Sequence, residues 1–209
     1  MSTRVKICGC VSWEDVELVM DAGADAFGMI FAPSPRRIAW EAAERIAARI
    51  PSTITPVGVF VNPARHDIER VRALFPKMLV QLSGNEPPAF AASLAGTVIK
   101  AIHVGTADTE TQIETVCNRY ANTLAMFDTR FNGMLGGTGV PFAWGRIASI
   151  ARWRPSIVAG GLTPENVASC IRTVRPFAVD VRSGVETNGK KDAERVRAFV
   201  RAVRECYAA

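Results

Sequence analysis

The sequence predicts a single (β/α)8 barrel over residues 1–209, an α/β fold of the TIM-barrel type, and three observations lead there. Short β-branched apolar runs alternate with longer amphipathic segments throughout the chain. Strict alternation of this kind implies parallel strands joined by right-handed crossovers. Eight such pairs in 209 residues leave about 26 residues per unit, near the minimum for a strand, a helix and two short turns. The first strand ends Lys6-Ile7-Cys8-Gly9, without the Gly-rich turn of a dinucleotide-binding open sheet. A doubly wound sheet is the poorer fit, and eight units close into a barrel. No linker or low-complexity stretch divides the chain.

Val5–Cys8 is the first strand, and Ser12 ahead of Trp13-Glu14-Asp15 caps a helix over Trp13–Ala22. Ala26–Phe31 and the helical spacing of Trp40–Ile50 form the second unit. Thr55–Val61 is stopped by Asn62-Pro63, and a helix follows over Ala64–Leu74. Units four, five and six pair Met78–Leu82 with Pro87–Leu94, Thr97–His103 with Asp108–Tyr120, and Thr123–Asp128 with Trp144–Arg152. Ser156–Ala159 precedes Thr163-Pro164-Glu165, which puts proline at the first position of a helix over Pro164–Val174. Ala178–Val181 and a helix over Lys191–Cys206 complete the series.

Composition narrows the function classes. The chain is 48% hydrophobic and 22% charged, as an ordinary globular domain is. Its longest nearly unbroken apolar stretch, Ala26 to Pro33, is far short of the roughly 18 residues of a membrane span. Met1-Ser2-Thr3-Arg4 leads into a strand pattern with no signal-peptide core, so a cytoplasmic protein is expected. The five cysteines read as reduced thiols, and Cys8 and Cys10 lack a second Cys/His pair at zinc spacing. Two histidines, His66 and His103, leave little material for a Ser-His-Asp triad or a His-rich metal centre. The net charge of +5 is scattered, with no basic run beyond Lys190-Lys191. That reads as solvated surface, favours small anionic partners, and gives no case for nucleic acid because aromatics are not interleaved with the basic residues.

Barrel chemistry gathers where strands end and the following loops begin. Gly136-Gly137-Thr138-Gly139, Gly160-Gly161 and Ser183-Gly184 follow strands six, seven and eight. Singly each is a plain turn; together at matching strand ends they point to a phosphate cradle built from backbone N–H groups. Arg36, in Ser34-Pro35-Arg36-Arg37 after strand two, is either a carboxylate-binding fork or a surface arginine paired with a neighbour. Cys8 is either a small buried hydrophobe or a reactive thiol at a strand end. Asp128, closing Leu124-Ala125-Met126-Phe127, either caps a turn or is held partly desolvated for use.

Eight segments in order carry a resemblance. They are Lys6-Ile7-Cys8-Gly9; Phe31 with Ser34-Pro35-Arg36; Val57-Gly58-Val59-Phe60-Val61-Asn62; and Gln81-Leu82 with Gly84 and Glu86. Phe127-Asp128-Thr129, Gly136-Gly137-Thr138-Gly139, the run from Ala159 to Val167, and Val179-Asp180-Val181 with Ser183-Gly184-Val185-Glu186 complete the set. Over its whole length the chain resembles the phosphoribosylanthranilate isomerases of tryptophan biosynthesis, which are single small (β/α)8 barrels. The resemblance implies a cofactor-free and metal-free Amadori rearrangement. N-(5′-phosphoribosyl)anthranilate becomes 1-(2-carboxyphenylamino)-1-deoxyribulose 5-phosphate. It implies Asp128 as general acid and Cys8 as general base. It also implies Arg36 on the anthranilate carboxylate, and Gly137, Thr138, Gly139, Gly160, Gly161, Ser183 and Gly184 around the phosphate. A phosphorylated small molecule is the implied partner. A monomer is compatible with this, and association with other enzymes of the pathway stays open.

The chemistry asks for unusual protonation. At pH 7 an ordinary Asp is protonated about once in a thousand, and an ordinary thiol is about 3% thiolate. Burial would raise Asp128; Lys6, two residues before Cys8 and on the same strand face, either favours the thiolate or pairs with a barrel carboxylate. Departures from the family pattern are Ser83 for His, Arg182 for Ser, Ala143 for Asp after the glycine loop, and a one-residue shortening of the Arg36 loop. Arg182 either adds a cation beside the phosphate loop or pairs with Asp180. These departures leave room for a second reading, a non-catalytic or weakly active phosphosugar-binding barrel subunit. A related aldose–ketose isomerase of histidine biosynthesis fits less well. Those enzymes use paired aspartates at the ends of strands one and five, and strand one here ends in Cys8.

Overall fold

The computed structural model of the chain describes residues 2–131, 134–135 and 143–207. Among these, eight parallel strands alternate with eight helices. The first half runs β1 (Arg4–Cys8), α1 (Trp13–Asp21), β2 (Ala26–Ile30), α2 (Trp40–Ala47), β3 (Thr55–Phe60), α3 (Arg65–Leu74), β4 (Leu79–Leu82) and α4 (Pro88–Ala92). The second runs β5 (Val98–Val104), α5 (Glu110–Arg119), β6 (Leu124–Phe131), α6 (Ala148–Trp153), β7 (Ser156–Val158), α7 (Val167–Val174), β8 (Ala178–Val181) and α8 (Ala193–Glu205). Each strand pairs with the next, and β1 also pairs with β8 through Lys6 opposite Asp180, which closes the sheet into a barrel.

Side chains alternate across each strand and so sort into two cores. Outward residues such as Val5, Ile7, Phe27, Val80 and Phe127 are buried under the helices. α8 completes that layer with Val196, Phe199, Val200 and Val203 at the spacing of one helix face. Inward residues divide along the barrel axis. Val57, Ile99, Met126, Ile157 and Ala178 form a dry plug. At the C-terminal ends the inward positions turn polar, with Lys6, Cys8, Gln81, Asp128 and Asp180. The plug closes the lower half, so chemistry has only the upper mouth.

Local signals explain most boundaries. The Ser12 hydroxyl accepts the Asp15 N–H at 3.3 Å and caps α1, as its position predicts. α7 starts later than expected, at Val167 rather than Pro164. Asn166 is the reason. Its Oδ1 accepts the Thr163 N–H at 2.8 Å and its Nδ2 donates to the Gly161 carbonyl at 2.8 Å, holding Pro164–Asn166 as a turn. β6 runs three residues past Asp128 because Arg130 and Phe131 gain an antiparallel partner in the short strand Met134–Leu135. A 3₁₀ turn, Trp144–Ile147, leads into α6.

One buried network braces the wall outside the barrel. Lys100 Nζ donates to the Leu82 carbonyl at 3.3 Å, the Gly84 carbonyl at 2.6 Å and Glu86 Oε2 at 2.9 Å. Glu86 in turn accepts the Asn62 N–H at 2.8 Å and the Gly84 N–H at 3.0 Å. Three loops and strands are tied at one fully satisfied ion pair, the condition under which a buried pair is tolerated. Among the described residues no helix is long and apolar enough to cross a membrane.

Candidate active site

A cavity of about 180 Å³ opens at the C-terminal ends of the strands. Cys8, Gln81, Ser83, His103, Asp128 and Asp180 line it, with Gly160, Gly161, Arg182, Ser183 and Gly184 from the loops after β7 and β8. Cys8 and Asp128, far apart in sequence, thus face one hollow.

Three charges set the character of this mouth. Lys6 Nζ donates to Asp180 Oδ1 at 2.8 Å, and both groups are buried. Burial alone would lower the Lys6 pKa; Asp180 and Cys8 together outweigh it and push the amine up to about 12, so Lys6 stays charged. Asp180 therefore pairs with Lys6 rather than with Arg182. Burial pushes the Cys8 thiol above its usual range, and the charge of Lys6 pulls it back part of the way. Asp128 is pushed up to about 6, first by burial and then by the negative charge of Asp180; a hydrogen bond from the Thr129 N–H, Arg182 and Lys6 oppose this. Its Oδ1 is buried without a hydrogen-bond partner among the described residues. That is the environment of a carboxylic acid kept ready to give up a proton.

Glycines make the room. A side chain at Gly28, opposite Cys8 in the β1–β2 register, would stand 2.8 Å from the Cys8 sulfur and 3.1 Å from Lys6 Nζ. Gly160, at φ +80, lies so close to Asp128 that an added Cβ would be 2.7 Å from Oδ1. Gly28 sits inside an apolar run, and nothing in the sequence reading singled it out; a glycine mid-strand beside two functional positions is the signal that could have.

Arg36 is not among the residues lining the cavity. Its Nη2 donates to Glu186 Oε2 at 2.7 Å, and Lys191 Nζ donates to the other oxygen, Oε1, at 2.8 Å. The two-residue ribbon pairing Glu186–Thr187 with Lys190–Lys191 builds this cluster. Lys191, expected on a solvated surface, has a side chain only 2% exposed, because Glu186 and the Arg182 carbonyl take its ammonium. His103 Nε2 donates to the Ser83 carbonyl at 3.0 Å, joining β5 to the loop after β4. Gly137, Thr138 and Gly139 lie outside the described residues. Among the described residues no three His, Cys, Asp or Glu side chains cluster as metal ligands would.

The family model for N-(5′-phosphoribosyl)anthranilate isomerase matches residues 5–202. The chain belongs to the N-(5′-phosphoribosyl)anthranilate isomerase family. A family member from Moorella thermoacetica, itself named N-(5′-phosphoribosyl)anthranilate isomerase, is 43% identical over 204 residues, 97% of this chain and 90% of its own length. A crystal structure of phosphoribosyl anthranilate isomerase from Thermotoga maritima superposes with a TM-score of 0.87 at 38% identity, covering 97% of this chain and 99% of that one. A second isomerase structure, in complex with reduced 1-(o-carboxyphenylamino)-1-deoxyribulose 5-phosphate, superposes with a TM-score of 0.84 at 38% identity over the same shares.

Proposed function

We propose that this chain catalyses the isomerisation its family is named for, in tryptophan biosynthesis, with Asp128 as general acid and Cys8 as general base. The observation that carries the reading is the shared cavity: an acid raised to about 6 and a thiol beside a permanent cation face the same hollow.

Asp128 gives its proton to the furanose ring oxygen of N-(5′-phosphoribosyl)anthranilate. The C1′–O bond breaks and the nitrogen lone pair forms a protonated Schiff base. The Cys8 thiolate removes the C2′ proton, whose bonding pair becomes the C1′=C2′ bond of an enolamine. Tautomerisation gives the aminoketose: C1′ is reduced, C2′ is oxidised, and no outside oxidant or reductant enters. One proton has left Asp128 and one has reached Cys8, and exchange with water resets the pair. The backbone of Gly160, Gly161, Ser183 and Gly184, with Gly137, Thr138 and Gly139 after β6, cradles the phosphate.

The raised acid makes the first step feasible. With a pKa of about 6, about one Asp128 in ten carries its proton at pH 7, against about one in a thousand for an ordinary Asp. Acid and base then act in the minority forms of a coupled pair. The expected profile of kcat/KM is flat above pH 6 up to the raised pKa of Cys8, and falls on the acid side as the thiolate alone is depleted.

The test is the loss of adduct fluorescence on addition of purified protein. Cys8→Ala and Asp128→Asn should each lower kcat/KM by about 10²–10⁴. Binding of the substrate analogue without turnover by the unaltered protein would instead identify a binding barrel, and near-normal rates in either variant would remove that residue from its role.

A further inference from the structure

The ribbon after β8 is shaped to hold one side chain. Asn188 and Gly189 both have positive φ, 52° and 75°, as the central residues of a two-residue hairpin turn require. That turn sets the register that puts Glu186 opposite Lys191. The ribbon is tied down where Thr187 Oγ1 donates to Asp192 Oδ2 at 2.7 Å, and Asp192 also caps α8. Its tip lies against Arg36: an added Cβ at Gly189 would stand 3.1 Å from Arg36 Nη2.

Glu186 meets a cation with each oxygen, Arg36 Nη2 at 2.7 Å and Lys191 Nζ at 2.8 Å. Burial pushes its carboxyl up, but Arg36 and Lys191 outweigh this and hold it below the usual range. Two cations against one anion leave the cluster positive. Without Lys191, Arg36 and Glu186 would be a neutral pair with little pull on an incoming carboxylate. Glu186 takes one nitrogen of a guanidinium that carries five N–H donors. Arg36 Nε is buried with no hydrogen-bond partner among the described residues. An acceptor arriving there would satisfy a costly orphan donor and displace nothing.

We propose that Glu186 and Lys191 are positioning residues for the carboxylate end of the substrate. Glu186 holds the Arg36 guanidinium by Nη2 so that Nε meets the carboxylate, and Lys191 offsets the charge of Glu186 so that this rim still attracts an anion. The assignment rests on the isomerase reading and deepens it, since it says how the arginine after β2 is kept ready.

The test compares the anthranilate adduct with the aniline adduct, which lacks the carboxylate, and reads the ratio of their KM values. Glu186→Ala removes an anion, so on charge alone it would tighten the carboxylate. Loss of positioning does the reverse. The ratio, anthranilate over aniline, should rise about two- to tenfold, the cost of ordering one long side chain on binding, with the change in KM rather than kcat. Glu186→Asp, a carboxylate one carbon short, should fall between parent and Glu186→Ala. Lys191→Met should raise the ratio by a similar factor. The Lys191 charge also reaches Cys8, so any change in kcat in that variant should be the same for both adducts. In Arg36→Gln the ratio should rise at least as far, and Glu186→Ala added to it should change nothing more. A fall of the ratio in Glu186→Ala would make Glu186 a competitor that the carboxylate must displace. An unchanged ratio, whatever the loss of rate or stability, would make the cluster a structural tie, and additivity with Arg36→Gln would separate Glu186 from Arg36. Each of these overturns the proposal. Equilibrium binding of the reduced product analogue and its carboxyl-free counterpart gives the same ratio without turnover. A failure of the isomerase reading, seen as binding without reaction, is thereby kept apart from a failure of this one.

Discussion

Two buried lysines in this barrel are each paired with a buried carboxylate at nearly the same distance, 2.8 Å for Lys6–Asp180 and 2.9 Å for Lys100–Glu86, yet they differ in what remains unsatisfied. Lys100, on the outer face of β5, gives all three of its donors to acceptors, and Glu86 receives two backbone N–H groups besides. Nothing is left over. Lys6, inside the mouth, has Asp180 as its one carboxylate and turns toward the Cys8 sulfur, while the charge of Asp180 presses on Asp128. A saturated pair fixes structure; an unsaturated one sets the protonation of its neighbours.

That contrast can be broken by experiment. Lys6→Met removes a charge next to Cys8, and a neighbouring opposite charge is worth about 1–3 pKa units. Thiolate at pH 7 should fall by about ten- to a thousandfold, read as a matching upward move of the Cys8 titration and a loss of kcat/KM. An unmoved titration would show that Lys6 serves only Asp180. Lys100→Met should do the opposite, costing about 3–5 kcal/mol of stability by stranding Glu86 while kcat/KM stays within about threefold. In a thermal melt that is a fall of roughly 6–20 °C.

Smaller effects sharpen the same difference. Neutralising a carboxylate should help in the mouth and hurt in the wall. Asp128 is raised from 3.8 to about 6, so its ionised form weighs against the fold above pH 6 and not below pH 3.8. Asp128→Asn should therefore be more stable than the parent by about 2–3 kcal/mol at pH 8, with the gain vanishing toward pH 4. Glu86→Gln should instead cost about 1.5–3 kcal/mol by denaturant melts at pH 8, where hydrogen bonds to a charged group are lost. Gly28→Ala comes last, with about a tenfold loss of rate as sulfur and ammonium are pushed apart and a stability cost of about 1–3 kcal/mol. A parent-like rate in that variant would show that the spacing of the two groups is not limiting.

The fold was legible because strand and helix patterns are local. All eight strands and eight helices fall on the segments the alternation marks, with shifts of a few residues at their ends, as where pairing with Met134–Leu135 lengthens β6. Cys8 and Asp128 were legible as strand-end residues whose common cavity follows from barrel closure. The charge pairings were not. Whether Asp180 serves Lys6 or Arg182 depends on which strand lies beside β8. Lys191 looked like solvent-facing charge because a two-residue ribbon leaves almost no trace in a sequence. Arg36 was read by position, and its partner Glu186 lies 150 positions further along the chain.

Asp180 acts on two neighbours with opposed needs. Its negative charge raises the proton affinity of Asp128, which favours donation, and of Cys8, which hinders abstraction. Any change that weakens this one charge improves the sulfur's grip on a proton-poor state and spoils the carboxyl's hold on its own. Variants selected for faster turnover should consequently leave this position alone and adjust the two partners from their far sides, where each can be altered without taxing the other.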